Sequence, residues 1–408
     1  MLPTAADNGA RLAAILPSGL AALAKGLGLD PYAALAEATG PCEAPNFTHI
    51  DPTMIPSVRS LVMIVVDGLG HANLRARKGH APTLSRLPQR RIETVAPSTT
   101  GAALTTLTTG QLPGAHGLVG YKIRHPQLGL VTTLRDWDGI PDRRSWQLAT
   151  PLFAQATRLG ARAVAIGRPA HASGGLTEAI LTGAKYLDAP RIEDRFAQAS
   201  QVLRAGDPAM IYLYVDELDR AAHEHGAQSA EWVRRLEQLD GALDGFLRTL
   251  PGNVGVVLTA DHGIVDVAPH QQVLLDADPE LMTGVEEIGG EPRFRSLYLA
   301  AEADVDGLAA KWAAAEGDRA WVFTRDEAFA ANMFGRVAPG VSERIGDVLI
   351  AARKQVAYYS SEDALSARAM VGQHGSFSED ERGVPIALGG ALDGSSFGSL
   401  VTAVADAR

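Results

Sequence analysis

Three aspartates and three histidines carry most of the chemistry that this sequence can do. Asp67, Asp219, Asp261, His223, His262 and His374 each fall at or just beyond the end of an apolar run, or in a glycine-flanked turn. Carboxylate oxygen together with imidazole nitrogen suits zinc, or manganese at the harder end. Six such groups are more than one four-coordinate ion takes, so two metals sharing a site is the natural reading. Each residue alone has an ordinary explanation: Asp67 as a helix cap, Asp261 in a turn, His262 in the core, His374 in a loop, Asp219 with His223 as a surface pair one helical turn apart. The repetition argues otherwise, because three apolar runs end in a carboxylate and two of these are followed by a histidine. A second kind of group stands at Pro97-Ser98-Thr99-Thr100, where a small-residue helix is expected to start near Thr99 or Thr100 and to stop at Gly110. Hydroxyls in that position ordinarily cap the helix. The alternative is a nucleophile on the first turn, beside the helix's positive end.

The elements that must position these groups are short and strongly apolar. Residues 61–66 and 209–215 are unbroken apolar runs, as in strands covered on both faces, and 161–167 and 254–259 read as further buried strands. Helices are expected at 74–87, 150–160 and 192–203, and one more carries Trp232, Leu236, Leu239, Leu243 and Phe246 at helical spacing. This alternation predicts an α/β fold with a doubly wound, mostly parallel sheet and helices on both faces. In such sheets ligands gather at the carboxyl ends of the strands, where Asp67 would sit. A further short strand is expected to end at Pro97, and residues 121–138 read as irregular or strand-like with exposed aromatics. Residues 1–45 read as helical turns broken by Pro17 and Gly28 on the outside of the core. From about residue 271 the texture changes, with strands at 296–300, 321–324 and 347–352 and a helix at 305–315. The expected organisation is a catalytic α/β domain (1–272 and 360–408) with a small α/β cap inserted at 273–359.

Composition narrows the partners. The 408 residues are 46% hydrophobic and 21% charged, with a net charge of −10. That charge speaks against a nucleic-acid polymer or an anionic membrane as partner, though not against a local anion site. The single cysteine, Cys42, excludes an internal disulfide. With no basic N-terminal region, and with Leu12 to Ala24 interrupted by Pro17, Ser18 and Gly19, neither a signal peptide nor a membrane span is expected, and the default location is cytoplasmic. The sequon Asn46-Phe47-Thr48 has meaning only in a secreted protein.

Taken in order, the motifs resemble those of the metal-dependent alkaline phosphatase superfamily. They comprise strand–Asp67-Gly68, Pro97-Ser98-Thr99-Thr100 with Thr109-Gly110, and His116-Gly117. Glu217-Leu218-Asp219-x-x-x-His223-x-x-Gly226, Asp261-His262-Gly263 and His374-Gly375-Ser376 look like the nucleotide pyrophosphatase/phosphodiesterase branch. The resemblance spans roughly residues 60 to 380. It implies an alkaline-phosphatase-like fold and two divalent ions, zinc or alternatively manganese. Asp219, His223 and His374 would hold one ion, and Asp67, Asp261 and His262 the other, with Asp216 a less fitting ligand. Counting back from Thr109-Gly110 makes Thr100 the nucleophile and a metal ligand, with Thr99 its neighbouring alternative. The implied reaction is hydrolysis of a phosphodiester or pyrophosphate bond in a small phosphorylated substrate through a phospho-threonine.

Two positions depart from the branch. Gly101 stands where an aromatic residue is frequent, and Ala103 where an asparagine contacts the phosphoryl group. A phosphomonoesterase or phosphonate hydrolase would use the same two-metal site, and a non-catalytic metal-binding protein would show a lost ligand or threonine. Tyr121, Lys122 and Trp137 are candidates for lining a pocket. A sulfatase is excluded because Cys42 is followed by Glu43-Ala44-Pro45-Asn46. The Gly394-Ser395-Ser396-Phe397-Gly398 run has no histidine after it to complete a hydrolase triad, and Gly68-x-Gly70 lacks the third glycine of a dinucleotide fingerprint.

Overall fold

The valine- and isoleucine-rich runs become central strands because both of their faces are covered. The computed structural model describes residues 7–40, 47–135, 137–140 and 142–407, so Cys42 and Asn46 of the sequon lie outside the described residues. Its two large sheets are built from β1 (Ser60–Val66), β2 (Gln89–Glu93), β3 (Arg162–Gly167), β4 (Lys185–Asp188), β5 (Ala209–Val215), β6 (Val254–Thr259), β7 (Val285–Glu291), β8 (Phe294–Leu299), β9 (Ala320–Thr324), β10 (Val348–Ala352) and β11 (Gly383–Gly390). The seven-stranded sheet has the order β2-β11-β6-β1-β5-β3-β4. β1 pairs in parallel with β5 and β6, and β3 with β4 and β5, whereas β11 runs antiparallel to β2 and β6. The expected doubly wound, mostly parallel α/β sheet is therefore present. Every residue of β1 and β6 is buried.

Register brings the strand ends level. Val66 stands opposite Val215, and Val65 opposite Thr259, so the residues that follow these strands emerge at one edge. The Asp67 N–H continues the ladder to the Val215 carbonyl at 2.9 Å.

The helices that matter below are α1 (Ala10–Gly26), α2 (Thr100–Thr109), α3 (Ile192–Arg204), α4 (Glu217–His225), α5 (Ala230–Arg248), α6 (Val305–Glu316) and α7 (Phe397–Asp406). α1 corrects the expectation of broken turns on the outside. It runs through Pro17 without interruption, and every residue from Leu12 to Ala24 is buried. A proline inside a helix costs about 3 kcal/mol. Burying the whole apolar segment against β1, α2 and α7 offsets that cost. The packing is close: a Cβ on Gly26 would lie 2.0 Å from the Val58 carbonyl oxygen.

Other expectations shift in detail. Residues 74–87 form two short helices, His71–Ala76 and Pro82–Arg86, with a 3-10 turn between them, because Gly79 and Pro82 interrupt the pattern. The strand expected to end at Pro97 stops at Glu93, and residues 94–99 form a loop. Residues 122–132 form a β-hairpin, and Trp137 is buried, with its indole N–H donating to the Thr133 carbonyl. β7 and β11, unforeseen because neither alternates clearly, complete their sheets. The segment after residue 280 forms a four-stranded antiparallel sheet, β7-β8-β10-β9, with α6 against it. Among the described residues no helix is long and apolar enough to cross a membrane.

Candidate metal centre

Asp67 and Asp261 converge because β1 and β6 are neighbours in register, and neither acts as a helix cap. The helix that follows β1 begins at His71 with Gly70 at its cap position. Asp261 Oδ1 accepts from the Gly68 N–H at 3.2 Å and from the His262 N–H at 3.0 Å, which turns its other oxygen inward. Gly68 adopts φ +71° in this turn, and a Cβ there would lie 3.0 Å from Asp219 Cα, so the backbone must be glycine to let the two segments meet. Asp219 lies on the first turn of α4, directly after β5. The ligand atoms of Asp67, Asp261 and His262 lie within 4.8 Å of one another, as do those of Asp219, His262 and His374. His262 is common to both groups. His223 joins through Asp219, its Nε2 lying 3.2 Å from Asp219 Oδ2.

The three imidazoles are oriented alike. Each places Nδ1 on a backbone carbonyl: His223 on Gly372 at 2.8 Å, His262 on Gly263 at 3.2 Å and His374 on Ser98 at 2.9 Å. An Nδ1–H held in this way leaves Nε2 as the free lone pair, the arrangement that metal-binding histidines adopt. His262 and His374 stack at 3.6 Å between ring centroids with their planes 12° apart.

The protein alone leaves this cluster electrostatically unsatisfied. Asp67 Oδ1, Asp219 Oδ1 and Asp261 Oδ2 are buried and have no hydrogen-bond partner among the described residues. Buried polar atoms are rarely left in that state. Burial, with Asp261 and Asp219 close by, pushes the Asp67 carboxyl far above the usual carboxylate range. Burial also drives His374 well below its ordinary value, reinforced by His262. For His223 burial acts downward, but the adjacent Asp219 carboxylate lifts it to about 9. Oxygen and nitrogen donors of this kind, crowded and unpaired, fit divalent cations.

Thr100 stands beside them. Its Oγ1 is 3.1 Å from His262 Nε2. Thr99 occupies the cap position of α2 but makes no capping bond from its side chain. It faces Glu291 instead, so the two threonines have different surroundings. Thr105, Thr108 and Thr109 bond inside their own helix, for example Thr105 Oγ1 to the Gly101 carbonyl at 2.6 Å. His116 is a core histidine. It accepts from the Leu118 N–H, contacts Thr106 at 3.0 Å and is pushed down to about 3 by burial.

Three neighbours were not foreseen. Tyr214, the penultimate residue of β5, donates its hydroxyl to Asp67 Oδ2, while Oδ1 faces His262 Nε2 at 3.3 Å. Ser98 ties the threonine loop to the His374 loop: its Oγ donates to the Ser376 carbonyl at 2.9 Å and accepts from the Gly375 N–H at 3.2 Å. Glu291, at the end of β7, is buried, and neither of its oxygens completes a well-aligned hydrogen bond. Burial raises its carboxyl to about 8, against the opposing influence of Thr99 and Arg295. Strand alternation marks Tyr214 as facing the same side as Tyr212; nothing local marks Glu291. Asp216 does not join the cluster but pairs with Arg168 and His171. Glu217 is held by the buried Arg195.

Comparison with known proteins bears on the family and the fold. The type I phosphodiesterase / nucleotide pyrophosphatase family profile matches residues 61–377. Venom phosphodiesterase 2 of Crotalus adamanteus is 23% identical over 227 residues, covering 51% of this chain and 27% of the relative. Ectonucleotide pyrophosphatase/phosphodiesterase family member 1 of Homo sapiens is 23% identical over 239 residues, 55% of this chain and 25% of the relative. The match thus spans about a quarter of the length of these curated relatives. The structure of phosphonoacetate hydrolase from Sinorhizobium meliloti 1021, in complex with phosphonoformate, superposes with a TM-score of 0.64 at 20% identity, covering 86% of this chain and 97% of that one. Murine ectonucleotide pyrophosphatase/phosphodiesterase 5 superposes with a TM-score of 0.63 at 19% identity, covering 80% and 87%. Extent of match, shared fold and the order of the site motifs lead to one conclusion: the chain belongs to the type I phosphodiesterase / nucleotide pyrophosphatase family, within the alkaline phosphatase superfamily.

Proposed function

We propose that the protein hydrolyses phosphate esters of small molecules, at a phosphodiester or pyrophosphate bond, with Thr100 as nucleophile and two divalent ions, zinc or alternatively manganese, held by Asp67, Asp219, His223, Asp261, His262 and His374. One observation carries this reading: Asp67, Asp219, Asp261 and His374 gather around His262, each aspartate with a buried carboxylate oxygen that lacks a hydrogen-bond partner among the described residues, and His262 Nε2 lies 3.1 Å from the Thr100 hydroxyl.

Divalent ions, when bound, supply the positive charge that lowers the hydroxyl pKa and neutralises the phosphoryl oxygens. The chain's own residues do the rest. Tyr214 holds Asp67 Oδ2, and the carbonyls of Ser98, Gly263 and Gly372 hold the histidines, so the site is fixed before substrate arrives. Thr100 Oγ1 gives up its proton to solvent and attacks phosphorus; the Thr100 O–P bond forms as the bond to the departing oxygen breaks, and that oxygen takes up a proton from solvent. The first intrahelical bond of α2 runs from the Ala103 N–H to the Thr99 carbonyl at 2.9 Å. The N–H groups of Gly101 and Ala102 therefore precede the helical ladder and are available to a phosphoryl oxygen. Water then cleaves the phospho-threonine, returning the hydroxyl and releasing phosphate or a phosphomonoester.

A phosphomonoesterase or phosphonate hydrolase at the same residues is favoured by one detail. A Cβ on Gly101 would lie 2.4 Å from Thr133 Oγ1, so the space of an aromatic platform is already filled. The ratio of rates on bis-p-nitrophenyl phosphate and p-nitrophenyl phosphate, with added zinc or manganese, decides between the two. Thr100→Ala should lower turnover by about 10³-fold or more, with Thr99→Ala far milder. Activity that survives Thr100→Ala but not Thr99→Ala would overturn the assignment.

A further inference from the structure

Arg168, His171 and Asp216 form a second polar cluster at the same edge of the sheet, outside the residues assigned to metal or nucleophile. Arg168 directly follows β3 and Asp216 directly follows β5. Arg168 Nη1 donates to Asp216 Oδ2 at 2.8 Å, and His171 Nε2 lies 3.0 Å from the same oxygen. The Asp216 side chain is 6% exposed, whereas those of Arg168 and His171 are 26% and 37% exposed. The carboxylate is thus the floor of the cluster and the two nitrogen-bearing groups its open face. A guanidinium offers five N–H donors in a planar fork. Arg168 spends Nη1 on Asp216, and its other donors bond to no described residue. Its main chain is fixed as well, because the Tyr186 hydroxyl donates to the Arg168 carbonyl at 2.9 Å.

The cluster adjoins the metal-ligating residues. The His171 ring meets the Tyr214 ring edge-on at 5.9 Å between centroids, and Tyr214 bonds Asp67. His171, which shares Asp216 Oδ2 with Arg168, therefore touches the tyrosine that bonds Asp67, and Arg168 and Asp67 follow the ends of strands that flank β5 on either side. A lone exposed ion pair contributes little to stability. An arginine aligned by a buried carboxylate, with its free edge at the ligand end of an α/β sheet, suits recognition of an oxyanion.

We propose that Arg168 and His171 form a subsite for a second anionic group of the substrate, a carboxylate or a further phosphate carried beyond the reacting phosphorus. The inference rests on the phosphoester-hydrolase reading and adds the substrate class: small phosphorylated molecules with two anionic centres.

The test compares three ligands that share one phosphonate: methylphosphonate, phosphonoacetate and ethane-1,2-diphosphonate. Calorimetric titration of the zinc-loaded protein gives their Kd values, and inhibition of bis-p-nitrophenyl phosphate hydrolysis gives matching Ki values. At least one two-anion ligand should bind the wild type about tenfold or more tightly than methylphosphonate, the scale of one charge-assisted hydrogen bond. The tighter of the two identifies the second group as carboxylate or phosphate. Arg168→Gln should bring the preference to within about twofold, and Arg168→Lys should restore part of it. His171→Asn provides an independent variant should the Arg168 substitutions lower Tm. Equal binding of all three ligands by the wild type, or an equal loss for all three in Arg168→Gln, would overturn the subsite. Absence of ester hydrolysis with intact two-anion preference would instead remove the catalytic reading and leave the subsite standing.

Discussion

Glu291 shows how burial alone can set the behaviour of one carboxyl group. It sits beside Thr99 with neither oxygen well bonded, and burial raises it from 4.5 to about 8. Between those values the folded protein holds a proton that the unfolded chain has released. Its contribution to stability therefore falls as pH rises through that window and stays low above it. Glu291→Gln removes the titration. The stability advantage of the variant over the wild type, both stripped of metal and read from thermal melts, should grow from about pH 5 to about pH 9, by a few kcal/mol at most. A pH-independent difference in thermal melts would show that the group ionises normally. The same scale separates Thr100 from Thr99: neighbours in sequence, one faces His262 and the other Glu291.

Between elements, the later antiparallel sheet is tied to the metal-site loops by one buried ion pair. Arg293, in the turn between β7 and β8, donates Nε and Nη2 to Glu381 at 2.7 Å each, and both side chains are essentially unexposed. Glu381 also accepts from the Ser376 N–H at 3.0 Å, and its own carbonyl receives the Gly263 N–H at 2.8 Å. The pair therefore braces the segments that follow His374 and His262. Arg293→Ala leaves a buried carboxylate unpaired and should cost about 3–5 kcal/mol in urea denaturation. Adding Glu381→Gln should recover part of that loss. If the single variant melts like the wild type, the pair is not a brace.

For the whole molecule, the unpaired carboxylates make metal part of the stability balance. Removing metal with a chelator should lower Tm, and zinc should restore it, with about 2.7 kcal/mol gained at a hundredfold excess over Kd. Uptake should also release protons. Asp219, acting against burial, raises His223 to about 9, so below that pH the free protein carries a proton there that must leave when the imidazole ligates. Apparent affinity should accordingly rise with pH toward about 9. Zinc titrations in two buffers of different ionisation heat read the proton count directly, and a buffer-independent heat would contradict the prediction.

Local order along the chain determined the fold class and the placement of the candidate donor residues at strand ends. Apolar runs that end in a carboxylate are contiguous, so β1 with Asp67 and β6 with Asp261-His262 were legible in the sequence. The burial of α1 was not, because the cost of Pro17 is local and the gain from packing is not. Neither were Tyr214 on Asp67, Ser98 on His374, nor the contact of Thr100 with His262. These depend on contacts between positions 147, 276 and 162 residues apart. Only the tertiary structure decided them, because strand register and loop packing set which distant atoms meet, and residue type alone carries no distance.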